Sequence, residues 1–236
     1  MSGGGCTDCG RKGGCDARKG TMLAAVEAAL ARLYPTRRWG DRDEGVAFGA
    51  GPAPGEAEAL AAELARRLRT AALLRPGAPD ETCDYVYILC VGRSPSLIEL
   101  AEGALDGGTA QALRAAIADG PVREVYLRVA LSTLGRFAAV QEVALAAAVD
   151  GDDGAVAITE APRAGVFDPG LLARMRALVT ALGEAGFRHL DFGEIAEAPA
   201  GYDPGDYPAL WGGAPGIANY LFYPQSPASV TTTTLT

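Results

Sequence analysis

Three of the five cysteines fall within ten residues, Cys6, Cys9 and Cys15, in a C-x2-C-x5-C arrangement. They share that segment with Gly10, Gly13, Gly14 and Gly20 and with Arg11, Lys12, Arg18 and Lys19. No apolar bulk accompanies these thiols, so they do not read as core cysteines. Two thiolates two residues apart can reach one metal centre, and glycines let the backbone wrap around it. The segment therefore reads as a ligand loop, and the chemistry it offers is ligation of an iron–sulfur cluster or of zinc. A third reading is a tail of reactive thiols whose pKa values are depressed by their basic neighbours.

Charge argues for the cluster. A [4Fe–4S] core with four thiolates is anionic, and residues 1–20 are the basic part of an acidic chain. They carry four basic residues against Asp8 and Asp16, a net +2, where the whole chain carries −8 and the remainder therefore −10. Zinc ribbons usually add a second Cys-x2-Cys pair, which this sequence lacks. The spacing of Cys6, Cys9 and Cys15 resembles the last three ligands of the cluster loop in endonuclease III-type DNA glycosylases. That resemblance covers ten residues and bears on the centre alone. The first cysteine of the glycosylase loop has no counterpart here, and an acidic body does not suit a DNA enzyme.

A fourth thiolate must come from Cys83 or Cys90, the only others in the chain. Cys90 lies inside the apolar run Tyr85–Val91, on a face with Val86 and Ile88, and reads as a small buried hydrophobe. Cys83 stands at the start of that run, beside Asp84 and after Pro79-Asp-Glu-Thr82, where a thiolate is reachable from outside the core. Cys83 is the expected fourth ligand.

Other constellations are weaker. His189 is the single histidine, which excludes sites built on several imidazoles; on a short strand it reads as a structural residue. Gly49-Ala-Gly51-Pro-Ala-Pro-Gly55 before a helix imitates a dinucleotide loop, but Pro52 and Pro54 remove amide donors that phosphates would need. Asp191-Phe-Gly193 has none of the companions of a kinase metal motif. No Gly-x-Ser-x-Gly or paired acids suggest a hydrolase, and no catalytic residue is assigned. The expected role is electron transfer, or accessory work in a larger redox complex. The alternatives are a zinc-stabilised scaffold or interaction protein and, more weakly, a nucleotide-dependent oxidoreductase.

The elements that must position these residues follow from periodicity. Thr21 caps a helix with Val26, Leu30 and Leu33 on one face, stopped by Pro35. A second helix runs from about Glu56 to Leu74, with Leu60, Leu64 and Leu68 as its stripe. Tyr85–Val91 is a buried strand, and Gly92–Ser96 a hairpin turn into Leu97–Glu102. A short helix spans Thr109–Asp119. Val125–Leu131 and Val156–Thr159 are strands; Phe137–Val149 fits both a helical and a strand period and is read as a strand because Asp150-Gly-Asp-Asp-Gly154 is a turn into Val156–Thr159. Asp168-Pro169 opens a helix that ends at Gly186. A short strand surrounds Arg188–Phe192. The fold class is α+β, an antiparallel sheet with helices packed on it.

The chain has 236 residues, enough for one globular domain. It divides into a ligand loop (1–20), an α+β body (21–197) and a Pro/aromatic-rich C-terminal arm (198–236). The arm carries six of the sixteen aromatics, among them Tyr202, Tyr207, Tyr220 and Phe222, and is expected to strap the body or dock a protein partner. The acidic balance argues against nucleic acid as a partner. The absence of a hydrophobic leader or a long apolar run argues for a cytoplasmic protein without a membrane span.

Overall fold

The computed structural model describes residues 24–43, 51–53, 55–77, 82–92, 96–150, 155–163, 169–211, 213–222 and 231–235. The ligand loop and the Thr21 cap lie outside the described residues. Residues 24–33 form α1, whose buried positions include Val26, Leu30 and Leu33, one apolar stripe of a 3.6-residue period. Helix α2 (Glu56–Leu68) buries Leu60 and Leu64, carries Glu56 and Glu58 in its first turn, and ends on Arg66 and Arg67. That polarity complements its backbone dipole. Strands β1 (Ala72–Arg75), β2 (Cys83–Val91), β3 (Val122–Ser132), β4 (Phe137–Asp150) and β5 (Ala155–Arg163) build the sheet. Helices α3 (Leu97–Ala101) and α4 (Gly107–Ala118) separate β2 from β3, and α5 (Leu172–Glu184) follows β5. After β6 (Arg188–Leu190) come α6 (Phe192–Ile195), α7 (Tyr207–Trp211), α8 (Ile217–Leu221) and β7 (Thr231–Leu235).

The sheet order is β1-β2-β3-β4-β5-β7, antiparallel throughout, and β6 adds a parallel pairing to β4 at Phe137–Ala139. Successive side chains of a strand point to opposite faces, so each strand feeds two layers. Val86, Ile88, Leu127, Val129 and Leu131 face α2 and α5. Tyr85, Tyr87, Tyr126, Val143 and Ile158 face the other way, into a core completed by α1, α3, α4 and the 217–222 segment. The sheet curls toward this second face. The fold is thus α+β, as strands joined by hairpins with helices before and after them imply.

Three elements differ from the sequence reading. The second helix stops at Leu68 because Arg69 adopts a left-handed conformation (φ 51°, ψ 48°) and returns its N–H to Ala65 O. Residues 72–75 then turn back as an edge strand against Tyr85–Ile88. Leu97–Ala101 is helical rather than the far arm of a hairpin. The Ser96 hydroxyl accepts from Glu99 N, and the Glu99 carboxylate accepts from Ser96 N at 2.8 Å, a reciprocal capping box. The C-terminal segment, read from the sequence only as a Pro/aromatic-rich arm, holds two short helices and the strand β7.

That segment closes the concave face through Tyr220. Its ring meets Tyr34 edge-on at 4.9 Å, Trp39 at 5.0 Å and Tyr202 at 5.6 Å between centroids. The Tyr34 hydroxyl donates to Tyr220 O at 3.0 Å, tying the end of α1 to α8. Burial, followed by the neighbouring Tyr34 and Tyr202 rings, pushes the Tyr220 phenol up to about 12. A raised phenol stabilises the fold fully below its unfolded value of about 10, and that stability is lost as pH climbs through the folded value. Urea unfolding at pH 8 and pH 11.5 should therefore show a smaller alkaline loss of stability in Tyr220→Phe than in the wild type. Equal losses would mean that Tyr220 titrates as freely in the fold as in the unfolded chain.

Candidate functional site

Cys83 is the first residue of β2 and pairs with Ser132 of β3. It is 1% exposed and belongs to the same packed cluster as Val26, Ala29, Leu30 and Leu33 of α1. It is more enclosed than its position after a loop suggests, because the end of α8 covers the start of β2. Thr82 gives both its N–H (2.8 Å) and its hydroxyl (3.1 Å) to Phe222 O, and Ser132 Oγ donates to Leu221 O at 2.6 Å.

Cys90 is on the opposite side of the sheet. A register shift between Leu89 and Val91 leaves it half-buried against the layer of α2 and α5. Arg174 of α5 donates to Cys90 O at 3.0 Å, and the thiol donates to Ile88 O at 3.5 Å. Burial pushes the Cys90 thiol up, and the Arg174 guanidinium only partly opposes it. Such a thiol stays protonated at neutral pH and is a poor ligand or nucleophile. The two cysteines therefore cannot serve one centre, and Cys83 is the one on the face that α1 covers.

The N-terminal half of α1 faces the junction between β3 and β4. Ala25, Ala28 and Ala29 line a cleft with Gly135 and Arg136 of the turn between β3 and β4 and with Phe137, the first residue of β4. That turn is tied to the start of β2, since Thr133 N donates to Thr82 O at 2.8 Å. The chain preceding α1, which carries Cys6, Cys9 and Cys15, lies outside the described residues. Among the described residues, no group of three or more His, Cys, Asp or Glu side chains could hold a metal ion.

The remaining motifs have structural roles. The backbone of Gly51 packs against Thr133, where an added Cβ would fall 2.0 Å from the carbonyl oxygen. Ala53 N donates to Glu56 at 2.9 Å, so this part of the Gly/Pro stretch is fastened to the first turn of α2. Helix α2 leads into β1, which is antiparallel to β2, a geometry unlike the parallel strands of a dinucleotide unit. Asp191 accepts from Gly193 N at 2.8 Å and starts α6. His189 is half-buried on β6, opposite Ala138 of β4.

A second cluster, which the sequence reading did not find, fills the concave face. Arg128 of β3 forms an ion pair with Glu160 of β5, donates to Gln141 Oε1 at 2.6 Å, and lies over the Tyr85 ring at 5.2 Å. The Tyr87 hydroxyl donates to Glu160 at 3.3 Å, and Arg75 of β1 approaches it at 3.9 Å. Both side chains of the central pair are only about one-eighth exposed, at 12% and 14%. Burial alone would lower the Arg128 guanidinium; Tyr87 and Glu160 outweigh it and hold Arg128 above its ordinary value. The signal was present in β3, where Val125, Leu127, Val129 and Leu131 leave Glu124, Tyr126 and Arg128 on the alternate face. Charged residues on one face of an amphipathic strand suggest solvent, whereas here that face is covered as well.

Glu124, 2% exposed, belongs to this covered face. Its carboxylate accepts from Leu97 N at 2.9 Å and from the Tyr126 hydroxyl, which fastens α3 to β3. Each buried charge in the concave face is therefore answered by a partner from another element. The arrangement is that of a satisfied polar core rather than of open catalytic groups.

The chain matches no protein-family profile, no curated protein and no solved structure. The Arg128–Glu160 pair makes its own prediction. Glu160→Leu leaves a buried guanidinium uncompensated and should cost about 3 kcal/mol in urea unfolding. Glu160→Leu combined with Arg128→Met should be less destabilised than the single variant. A cost under about 1 kcal/mol for the single variant would mark a solvated pair.

Proposed function

We propose that this protein binds an iron–sulfur cluster through Cys6, Cys9, Cys15 and Cys83 and works in electron transfer or as the accessory subunit of a redox complex. The observation that carries this reading is the placement of Cys83. It lies on the sheet face that α1 covers, and the thiolate loop leads directly into α1, whereas Cys90 lies on the far side. A bound cluster supplies one-electron transfer. The chain's own contribution is to hold four thiolates and keep solvent from the one at Cys83. Arg11, Lys12, Arg18 and Lys19 offset the anionic charge and thereby favour the reduced state. No helix among the described residues is long and apolar enough to cross a membrane. We place the protein in the cytoplasm and its partner contact at the C-terminal segment, where Leu210 of α7 is 67% exposed.

Metal and acid-labile sulfide counted on protein purified without air test this reading. Cys9→Ser should retain less than about one-fifth of the wild-type iron, because too few other thiolates exist to replace it. Cys83→Ser should lose iron and sulfide as well. Cys90→Ser should keep both and lose about 1 kcal/mol of stability from its packing and hydrogen bond. Full iron in Cys9→Ser overturns the ligand loop. Zinc without sulfide in the wild type replaces the cluster with a structural zinc site.

A further inference from the structure

The cleft beside α1 has a character of its own. It measures about 530 Å³ and is lined by Arg32 of α1, Arg136 of the β3–β4 turn and Arg188 of β6, over a floor of Ala25, Ala28, Ala29 and Phe137. Residues 21–236 carry a net −10, so three guanidiniums around one cavity run against the overall charge. Arg136 is held in place. It bonds Glu56 (3.2 Å to one oxygen), donates to Ala185 O at 3.1 Å, and stacks over the Phe187 ring at 5.1 Å. Gly186, at φ 82°, lets this guanidinium lie against the backbone, since a Cβ there would sit 3.3 Å from Arg136 Nε. Glu56 neutralises one of the three charges. Arg32 and Arg188 are exposed, and neither forms an ion pair among the described residues.

We propose that this cleft binds a small polyanion, a phosphate ester or a polycarboxylate with a short apolar body. Clefts of about 300–1,000 Å³ suit small molecules, and guanidinium forks match carboxylate and phosphate oxygens in pairs. Arg136 would supply a preorganised donor, Arg32 and Arg188 the adaptable ones, and the alanine face of α1 the apolar contact. An anion there also offsets the two guanidinium charges, Arg32 and Arg188, that have no ion-pair partner among the described residues. The site depends on none of the cysteines, so it stands or falls apart from the metal centre.

Pyrophosphate and citrate, titrated separately into the full-length protein by calorimetry at low ionic strength, test the proposal. One site per chain is expected for at least one of them. Arg32→Gln and Arg188→Gln should each weaken it by about tenfold, the loss of one charge-assisted contact. Both side chains are exposed, so the unliganded melting temperature should not move. Binding of pyrophosphate alone marks a phosphate ester, of citrate alone a polycarboxylate, and of both the shared chemistry. The proposal is overturned if neither anion binds. It is equally overturned if both variants bind as the wild type does, since the anion then sits on other cations such as those of residues 11–19.

Discussion

Glu160 on β5 meets Arg128 on β3 and Arg75 on β1. In a flat sheet with this register, their Cα atoms would be roughly 17 Å and 28 Å apart, two and four strands away. Contact between these side chains therefore requires strong curling. The curl creates a concave face deep enough to take α1, α3, α4 and the 217–222 segment, and leaves the convex face to α2 and α5. Burial of charge is the cost of this geometry. It is tolerable because Arg128 is answered by Glu160, Gln141 and the Tyr85 ring, and Glu160 by Tyr87 and both arginines.

The positions of Cys83 and Cys90 follow from the curl. Helix α1 enters the concave face and is held at its far end by Tyr34, which bonds Tyr220 O and packs on the Tyr220 ring. Its near end then lies along the β3–β4 turn. The C-terminal segment reinforces that junction by bonding Thr82 and Ser132. Cys83 is consequently buried on the concave side, and Cys90, seven residues along the same strand, faces α5. A one-residue change in the register of β2 would exchange these two environments.

Periodicity made most of this legible. The stripes of α1 and α2 and the alternation of β3 appear in the structure close to where their patterns place them, whereas β4, whose period fits helix and strand alike, was legible only from the turn that follows it. The early end of α2 was hidden because Leu60, Leu64 and Leu68 run on into Leu74, while the break depends on one arginine in a left-handed conformation. The capping box of α3 was written in Ser96-Leu-Ile-Glu99 but masked by the turn residues before it. The Arg128–Glu160 cluster was illegible for a deeper reason. Its members are strangers in sequence, brought together by curvature, and a strand pattern reports which face a residue occupies without reporting whether that face is covered. Parallel pairing of β6 with β4 is likewise a property of the crossover and not of three residues.

The central claim is that the thiolates of this chain hold an iron–sulfur centre. X-ray absorption at the iron and zinc edges, measured on the full chain purified without air, addresses it directly. The account predicts an iron edge with sulfur nearest neighbours and an additional iron–iron scattering path. A zinc edge with tetrahedral sulfur ligation and no iron, or neither metal at stoichiometric level, would contradict it.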